Sequence, residues 1–136
     1  MMIDIDRQAR KPVYEQLLEQ FERLILTGVL RPGDQLPSVR SLSLELSVNP
    51  NTVQKAFLEL ERLDITTSVP GIGRVVSDNA RHILSEKYTE KLGELREAAD
   101  ALCAAGIPLE QLLQIVRDAY HTDQPLQRGE NDDSSR

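Results

Sequence analysis

Ser38-Val39-Arg40-Ser41-Leu42-Ser43-Leu44-Glu45-Leu46-Ser47-Val48-Asn49-Pro50-Asn51-Thr52-Val53-Gln54-Lys55-Ala56-Phe57 is the stretch on which the fold turns. Ser38 carries a hydroxyl able to accept from an unpaired N–H at a helix start. It therefore predicts a short helix with Val39, Leu42 and Leu46 on one face. Ser47-Val48-Asn49-Pro50 breaks that helix. Asn49 is then a second N-cap, and Pro50 suits the first helical position, where an N–H is not needed. On the helix that follows, Val53, Ala56, Phe57, Leu60 and Leu63 make a continuous inward stripe, with Asn51, Gln54, Lys55 and Leu58 opposite. Two helices joined by a few residues, the second opened by Asn-Pro, predict a helix-turn-helix.

Downstream, Ile65-Thr66-Thr67-Ser68-Val69 is β-branched and alternating, and Pro70-Gly71-Ile72-Gly73 separates it from Arg74-Val75-Val76. Two such runs about a Pro/Gly turn predict a β-hairpin, which directly behind a recognition-type helix is a wing. Upstream, Arg31-Pro32-Gly33-Asp34 is a turn. Before it, Val13, Leu17, Leu18, Phe21, Leu24 and Ile25 mark an amphipathic helix, with Pro12 in its first turn and Gly28 past its end. Ile3-Asp4-Ile5 alternates as a short strand does. From about Ala80 a longer helix carries Ile83, Leu84, Tyr88, Leu92, Leu95, Ala99 and Leu102. Gly106-Ile107-Pro108 stops it, and a last helix to about Tyr120 places Leu112, Leu113, Val116 and Tyr120 inward.

The expected fold is mainly α with one small β-hairpin. Residues 1–78 form a winged helix-turn-helix, 79–121 a short two-helix dimerisation region, and 122–136 a flexible polar tail. The two tail helices alone make too small a core to stand unaided. Their apolar stripe, Leu84, Tyr88, Leu92, Leu95, Leu102, Leu112, Leu113 and Val116, either closes over the winged domain of its own chain or buries against a second copy; the second is expected, giving a homodimer.

The 136 residues are 40% hydrophobic and 28% charged, with no Trp, so Leu, Ile and Val must build the core. No apolar run approaches the roughly 20 residues needed to span a bilayer, and Met1-Met2-Ile3-Asp4-Ile5-Asp6 has no basic region followed by an apolar segment, so secretion is not expected. With a single cysteine, Cys103, no internal disulfide forms, and a cytoplasmic setting is expected. Cys103 itself, beside Leu102 in an apolar helix, reads as a buried packing thiol rather than a redox sensor. The net charge of −6 is at first sight wrong for a nucleic-acid binder. However, residues 1–79 carry 9 Lys+Arg against 11 Asp+Glu, a net of −2, and residues 80–136 carry 7 against 11, a net of −4. The acidity therefore sits mostly in the second half, and phosphate contact depends on the local face.

The segment Leu30 to Val76 resembles the DNA-binding domain of the GntR family of bacterial regulators. The residues that carry the likeness are Pro32-Gly33-Asp34-Gln35-Leu36-Pro37-Ser38-Val39-Arg40-Ser41-Leu42, Val48-Asn49-Pro50-Asn51-Thr52-Val53-Gln54-Lys55-Ala56-Phe57, Leu60-Glu61 and Gly71-Ile72-Gly73-Arg74-Val75-Val76, with Pro12-Val13-Tyr14-Glu15-Gln16-Leu17 upstream. The short tail and the Asn-Pro-Asn-Thr-Val opening are similar to the YtrA-type subfamily, whose members often govern ABC transporter genes. The resemblance implies a major-groove role for the helix after Asn49 and a minor-groove role for the wing. It implies DNA contact by Arg40, Asn49, Asn51, Thr52 and Gly71. Pro50 and Gln54 stand where other branches carry base-reading arginines, so that base code does not transfer. Asp64 stands where Gly is common, and Asp tolerates the left-handed region.

Each site residue also has a plainer role. Asn49 is a helix cap whatever else it does. Asn51 and Thr52 either meet base edges or form a solvated first turn, and Gln54 either reads a base or faces water. Lys55 offers its charge to phosphate or merely to solvent. Arg40 contacts DNA or pairs on the surface with Glu45 or Asp34. Arg74 grips phosphate or solubilises an edge strand. Gly71 and Gly73 are turn residues first. No catalytic constellation, metal site or cofactor loop is legible: His82 and His121 are distant in sequence, and Gly71-Ile72-Gly73 lacks a third glycine and a following helix. The expected partner is a double-stranded DNA operator, with no enzymatic role and no membrane. The sequence specifies no small-molecule effector. The competing reading is a winged helix used for protein contact without DNA.

Overall fold

The computed structural model describes residues 3–123. Five helices and one hairpin follow in order: α1 Val13–Leu26, α2 Val39–Leu46, α3 Pro50–Arg62, β1 Thr66–Val69, β2 Gly73–Val76, α4 Ala80–Ala104 and α5 Leu109–Asp123. The chain divides into two compact units, one ending at Thr89 and the other beginning at Glu90. The first unit thus takes in the opening turns of α4, whereas the sequence placed the boundary at 78.

In the first unit, α1 and α3 pack face to face through the predicted stripes. Leu17, Phe21 and Ile25 meet Val53, Ala56, Phe57 and Leu60, all wholly or almost wholly buried. Phe21 and Phe57 lie edge to face, their centroids 5.5 Å apart, an arrangement worth about 1 kcal/mol beyond the area buried. Leu42 of α2 and Ile65 and Val76 of the wing close the same core.

The predicted caps form. The Ser38 side chain accepts from the Ser41 N–H, and the Asn49 side chain accepts from the Asn51 N–H. Asp64 adopts φ 62, the left-handed conformation that ends α3.

Antiparallel β1 and β2 pair in register from Thr66↔Val76 to Val69↔Gly73. The loop before α2 runs along the outer edge of β2. The Gly33 N–H donates to the Val76 carbonyl, the Val76 N–H to Asp34, and the Leu36 N–H to Arg74. The wing is thereby fixed to the segment that leads into the helix-turn-helix.

Three expectations need correction. Ile3-Asp4-Ile5 does not form a strand, because among the described residues no strand pairs with it. Backbone groups of Asp4 and Asp6 are satisfied by two glutamines of α1 instead. Gln16 accepts from the Asp6 N–H and donates to the Asp6 carbonyl, and Gln20 does the same for Asp4. Leu84, assigned to a dimer contact, is wholly buried in the core of its own chain. Tyr88 packs against that core and hydrogen-bonds Glu22. Cys103, expected to be buried, is exposed.

In the second unit, the Gly106 N–H donates to the Cys103 carbonyl, closing α4 before Pro108. Leu92, Leu95, Leu109, Ile115 and Tyr120 are each more than half exposed, Leu102 and Val116 somewhat less so, and Leu112 and Leu113 partly buried. Of the polar tail assigned to 122–136, residues 124–136 lie outside the described residues.

Candidate nucleic-acid interface

The turn between α2 and α3 is fixed from several sides. Ser47 takes the left-handed conformation at φ 54 and Val48 is buried beneath it. The Val48 N–H donates to the Ser43 carbonyl. Arg7 reaches across from the N-terminal segment, its guanidinium donating to the carbonyls of Leu46 (2.6 Å) and Ser47 (2.9 Å). Those carbonyls belong to the end of α2, where a cation also complements the helix dipole. The sequence reading missed Arg7, and no periodicity or motif could have signalled a contact across 39 residues.

With the turn held, α3 opens toward solvent. Asn49, Pro50, Asn51 and Lys55 are exposed, and Thr52 and Gln54 are half-buried. Asn49 spends its side-chain oxygen on the Asn51 N–H at 2.8 Å, leaving its amide N–H groups outward. Lys55 stands 3.9 Å above the Tyr14 ring, so α1 steadies its ammonium without neutralising it. Arg40 is exposed in the first turn of α2 and has no ion-pair partner among the described residues. Asp34, the alternative partner, instead accepts from the Arg31 backbone N–H at 2.8 Å.

The electrostatics of these two helix starts suit an anion, a property shared by the start of α4, which also lacks an acidic residue in its first turn. An acidic residue in the first turn stabilises a helix, and α1 and α5 have one, Glu15 and Glu110. Neither α2 nor α3 has any. Their free N–H groups and positive dipole ends are left without the carboxylate that would repel a phosphate.

Arg74 departs from both roles the sequence allowed. On β2 it shares a face with buried Val76, and its side chain is only 17% exposed. Its guanidinium lies over the Phe57 ring at 5.0 Å and 3.8 Å from the Glu61 carboxylate. It is a structural cation that ties the wing to α3. The signal was in the alternation: two residues before a core valine, a strand residue faces inward. Gly71 is exposed at the wing tip, where φ 80 demands glycine. Gln35, also missed, donates its side-chain N–H to the Ile72 carbonyl at 2.7 Å.

Among the described residues no cluster of three or more His, Cys, Asp or Glu is placed to hold a metal ion. No described helix is long and apolar enough to cross a membrane. His82 lies on the α4 surface beside Glu86 at 3.2 Å.

Comparison with known proteins agrees with this geometry. Residues 13–76 match the family described as bacterial regulatory proteins, gntR family. The HTH-type transcriptional repressor YtrA of Bacillus subtilis is 41% identical over 118 residues, spanning 86% of this chain and 91% of that protein. Among solved structures, a transcriptional regulator from Oenococcus oeni shares 33% identity at a TM-score of 0.64, over 85% of this chain and 97% of that one. YtrA from Sulfolobus acidocaldarius, a GntR-family transcription factor, shares 35% identity at a TM-score of 0.54, over 68% of this chain and 99% of its own. The winged helix-turn-helix built on the Asn49 turn is thus that of a DNA-binding transcription regulator, and the chain belongs to the GntR family, with similarity to its YtrA members.

Proposed function

We propose that the protein binds a palindromic operator as a homodimer and represses by occluding the promoter, with transporter genes as its targets. In this reading α3 lies in the major groove, where Asn51, Thr52 and Gln54 meet base edges and the outward amide of Asn49 joins them. Arg40 and Lys55 hold phosphates and set register, and Gly71 lets the wing backbone approach the minor groove. The observation that carries the reading is the pair of helix starts, α2 and α3, stripped of acidic residues and flanked by the outward cations Arg40 and Lys55. The exposed leucines of residues 90–123 support self-association, and the name of the Bacillus subtilis relative supports repression. A two-fold dimer presents its recognition helices to half-sites about 34 Å apart.

The test is binding to a duplex enriched by the full chain from a random-sequence pool, titrated with salt. Arg40→Ala and Lys55→Ala should each weaken binding to every sequence and flatten the log–log salt slope by about one unit. Unchanged slopes in both variants would remove the footprint. Failure to enrich any duplex would favour a winged helix that contacts protein instead.

A further inference from the structure

The apex of the wing, Val69-Pro70-Gly71-Ile72-Gly73, has neither a charged nor a hydrogen-bonding side chain. The one cation of the hairpin, Arg74, is turned inward against Phe57 and Glu61. An apex of this kind cannot hold phosphate by charge or read bases by side-chain hydrogen bonds. What it does present is Ile72, 55% exposed.

A single exposed isoleucine on a protein surface ordinarily means nothing. Here the local structure is arranged to keep it outward. Gly71 and Gly73 flank it at φ 80 and φ 115, conformations that side chains resist. The Ile72 N–H donates to the Val69 carbonyl at 3.0 Å, closing the turn. The Ile72 carbonyl accepts from the Gln35 side chain, which comes from the loop bonded along β2. A Cβ at position 73 would come within 3.3 Å of that same Gln35 nitrogen, so the brace and the glycine are matched.

We propose that Ile72 is a specificity-determining residue that packs on the floor of the minor groove at A·T pairs, with Gln35 as its positioning residue. The minor groove distinguishes A·T from G·C chiefly by the guanine 2-amino group, which protrudes from its floor. An apolar side chain discriminates against that group by shape and by leaving its N–H unpaired. Contact of this kind releases no counterions, so its share of the affinity does not vary with salt. The proposal rests on the reading that the wing meets DNA.

The experiment uses the full chain and the duplex it enriches from a random-sequence pool. Each A·T pair is replaced in turn by G·C and by inosine·C, which has the major-groove edge of G·C but lacks the 2-amino group. At the pair under the wing, G·C should weaken binding about tenfold, and inosine·C should restore it. Ile72→Ala should lower affinity about tenfold, as expected for withdrawing roughly two methylenes from contact. It should leave the salt slope unchanged and abolish the difference between G·C and inosine·C. Gln35→Ala should reduce that difference too, at an unchanged melting temperature, which a merely structural role for Gln35 would not do. If Arg40→Ala weakens binding while Ile72→Ala binds and discriminates as the parent does, the wing-tip assignment alone is overturned. If no duplex is enriched, or Arg40→Ala, Lys55→Ala and Ile72→Ala are all silent, the operator reading falls with it.

Discussion

Leu84 and Leu95 stand about three turns apart on α4, yet the first is wholly buried and the second is 55% exposed. The difference divides the molecule. The unit ending at Thr89 seals a core within its own chain, with Phe21, Phe57, Leu17 and Leu60 all buried, although Val29, Leu44, Leu58 and Ile72 lie at its surface. The unit beginning at Glu90 has two helices of good amphipathic sequence and leaves Leu92, Leu95, Leu109, Ile115 and Tyr120 largely in water. One region is complete as a single chain. The other has the composition of half a core, and its exposed apolar side chains support the association proposed above. If the second unit self-associates as proposed, DNA reading and self-association should be separable by mutation.

The largest effect is expected in the sealed region. Phe57→Ala removes the ring that packs on both Phe21 and Arg74, and should cost about 3–5 kcal/mol by urea unfolding. A loss below about 1 kcal/mol would mean that the α1–α3 seam is looser than its geometry. Next comes the open region. Leu95→Glu should raise the dissociation constant of the proposed dimer about a hundredfold, measured by sedimentation, because a charge would have to be desolvated at its interface. Unfolding of the winged domain should be unchanged. A variant that stays dimeric would remove Leu95 from the contact.

Within the first unit, the opening turns of α4 are held by a buried carboxylate. Glu22 is 1% exposed and accepts from Lys87 Nζ at 2.7 Å and from the Tyr88 hydroxyl. A carboxylate buried there depends on both partners. Glu22→Leu should cost about 2 kcal/mol, since it leaves the half-buried Tyr88 hydroxyl unpaired. The same contact gives a pH signature. Burial, then the hydrogen bond to Glu22 and its charge, push the Tyr88 phenol well above its ordinary value. The unfolded phenol loses its proton near pH 10 while the folded one keeps it, so this contribution is intact below about pH 10 and declines above it. Tyr88→Phe should flatten the alkaline fall in melting temperature, and an identical alkaline limb in the variant would count against the contact.

Local chemistry was legible and long-range partnership was not. The Ser38 and Asn49 caps, the left-handed Asp64 and the stripe on α3 depend on residues within a turn of one another, and each formed as read. Ile3-Asp4-Ile5 had the alternation of a strand, but a strand needs a neighbour, and the glutamines that serve instead are 10 to 16 residues away. Ala80, Leu84, Tyr88, Leu92 and Leu95 form one uninterrupted stripe in sequence. Nothing in its spacing says that Leu84 faces its own chain and Leu95 does not. Arg74 was the avoidable miss, since its position relative to Val76 already put it on the inner face.

The smallest effect discriminates most finely within the DNA-reading region, because Asn49 has two jobs. Its side-chain oxygen caps α3 through the Asn51 N–H, and its amide remains free to meet a base. Asn49→Ala removes both and should lower stability by about 1 kcal/mol. Asn49→Ser retains a cap and removes only the amide. If Asn49 contacts DNA, the serine variant should keep the parent melting temperature yet bind the enriched duplex about fivefold more weakly, within the range for one lost base contact. Should it bind as the parent does, Asn49 is a cap alone, and specificity in the first turn rests with Asn51 and Thr52.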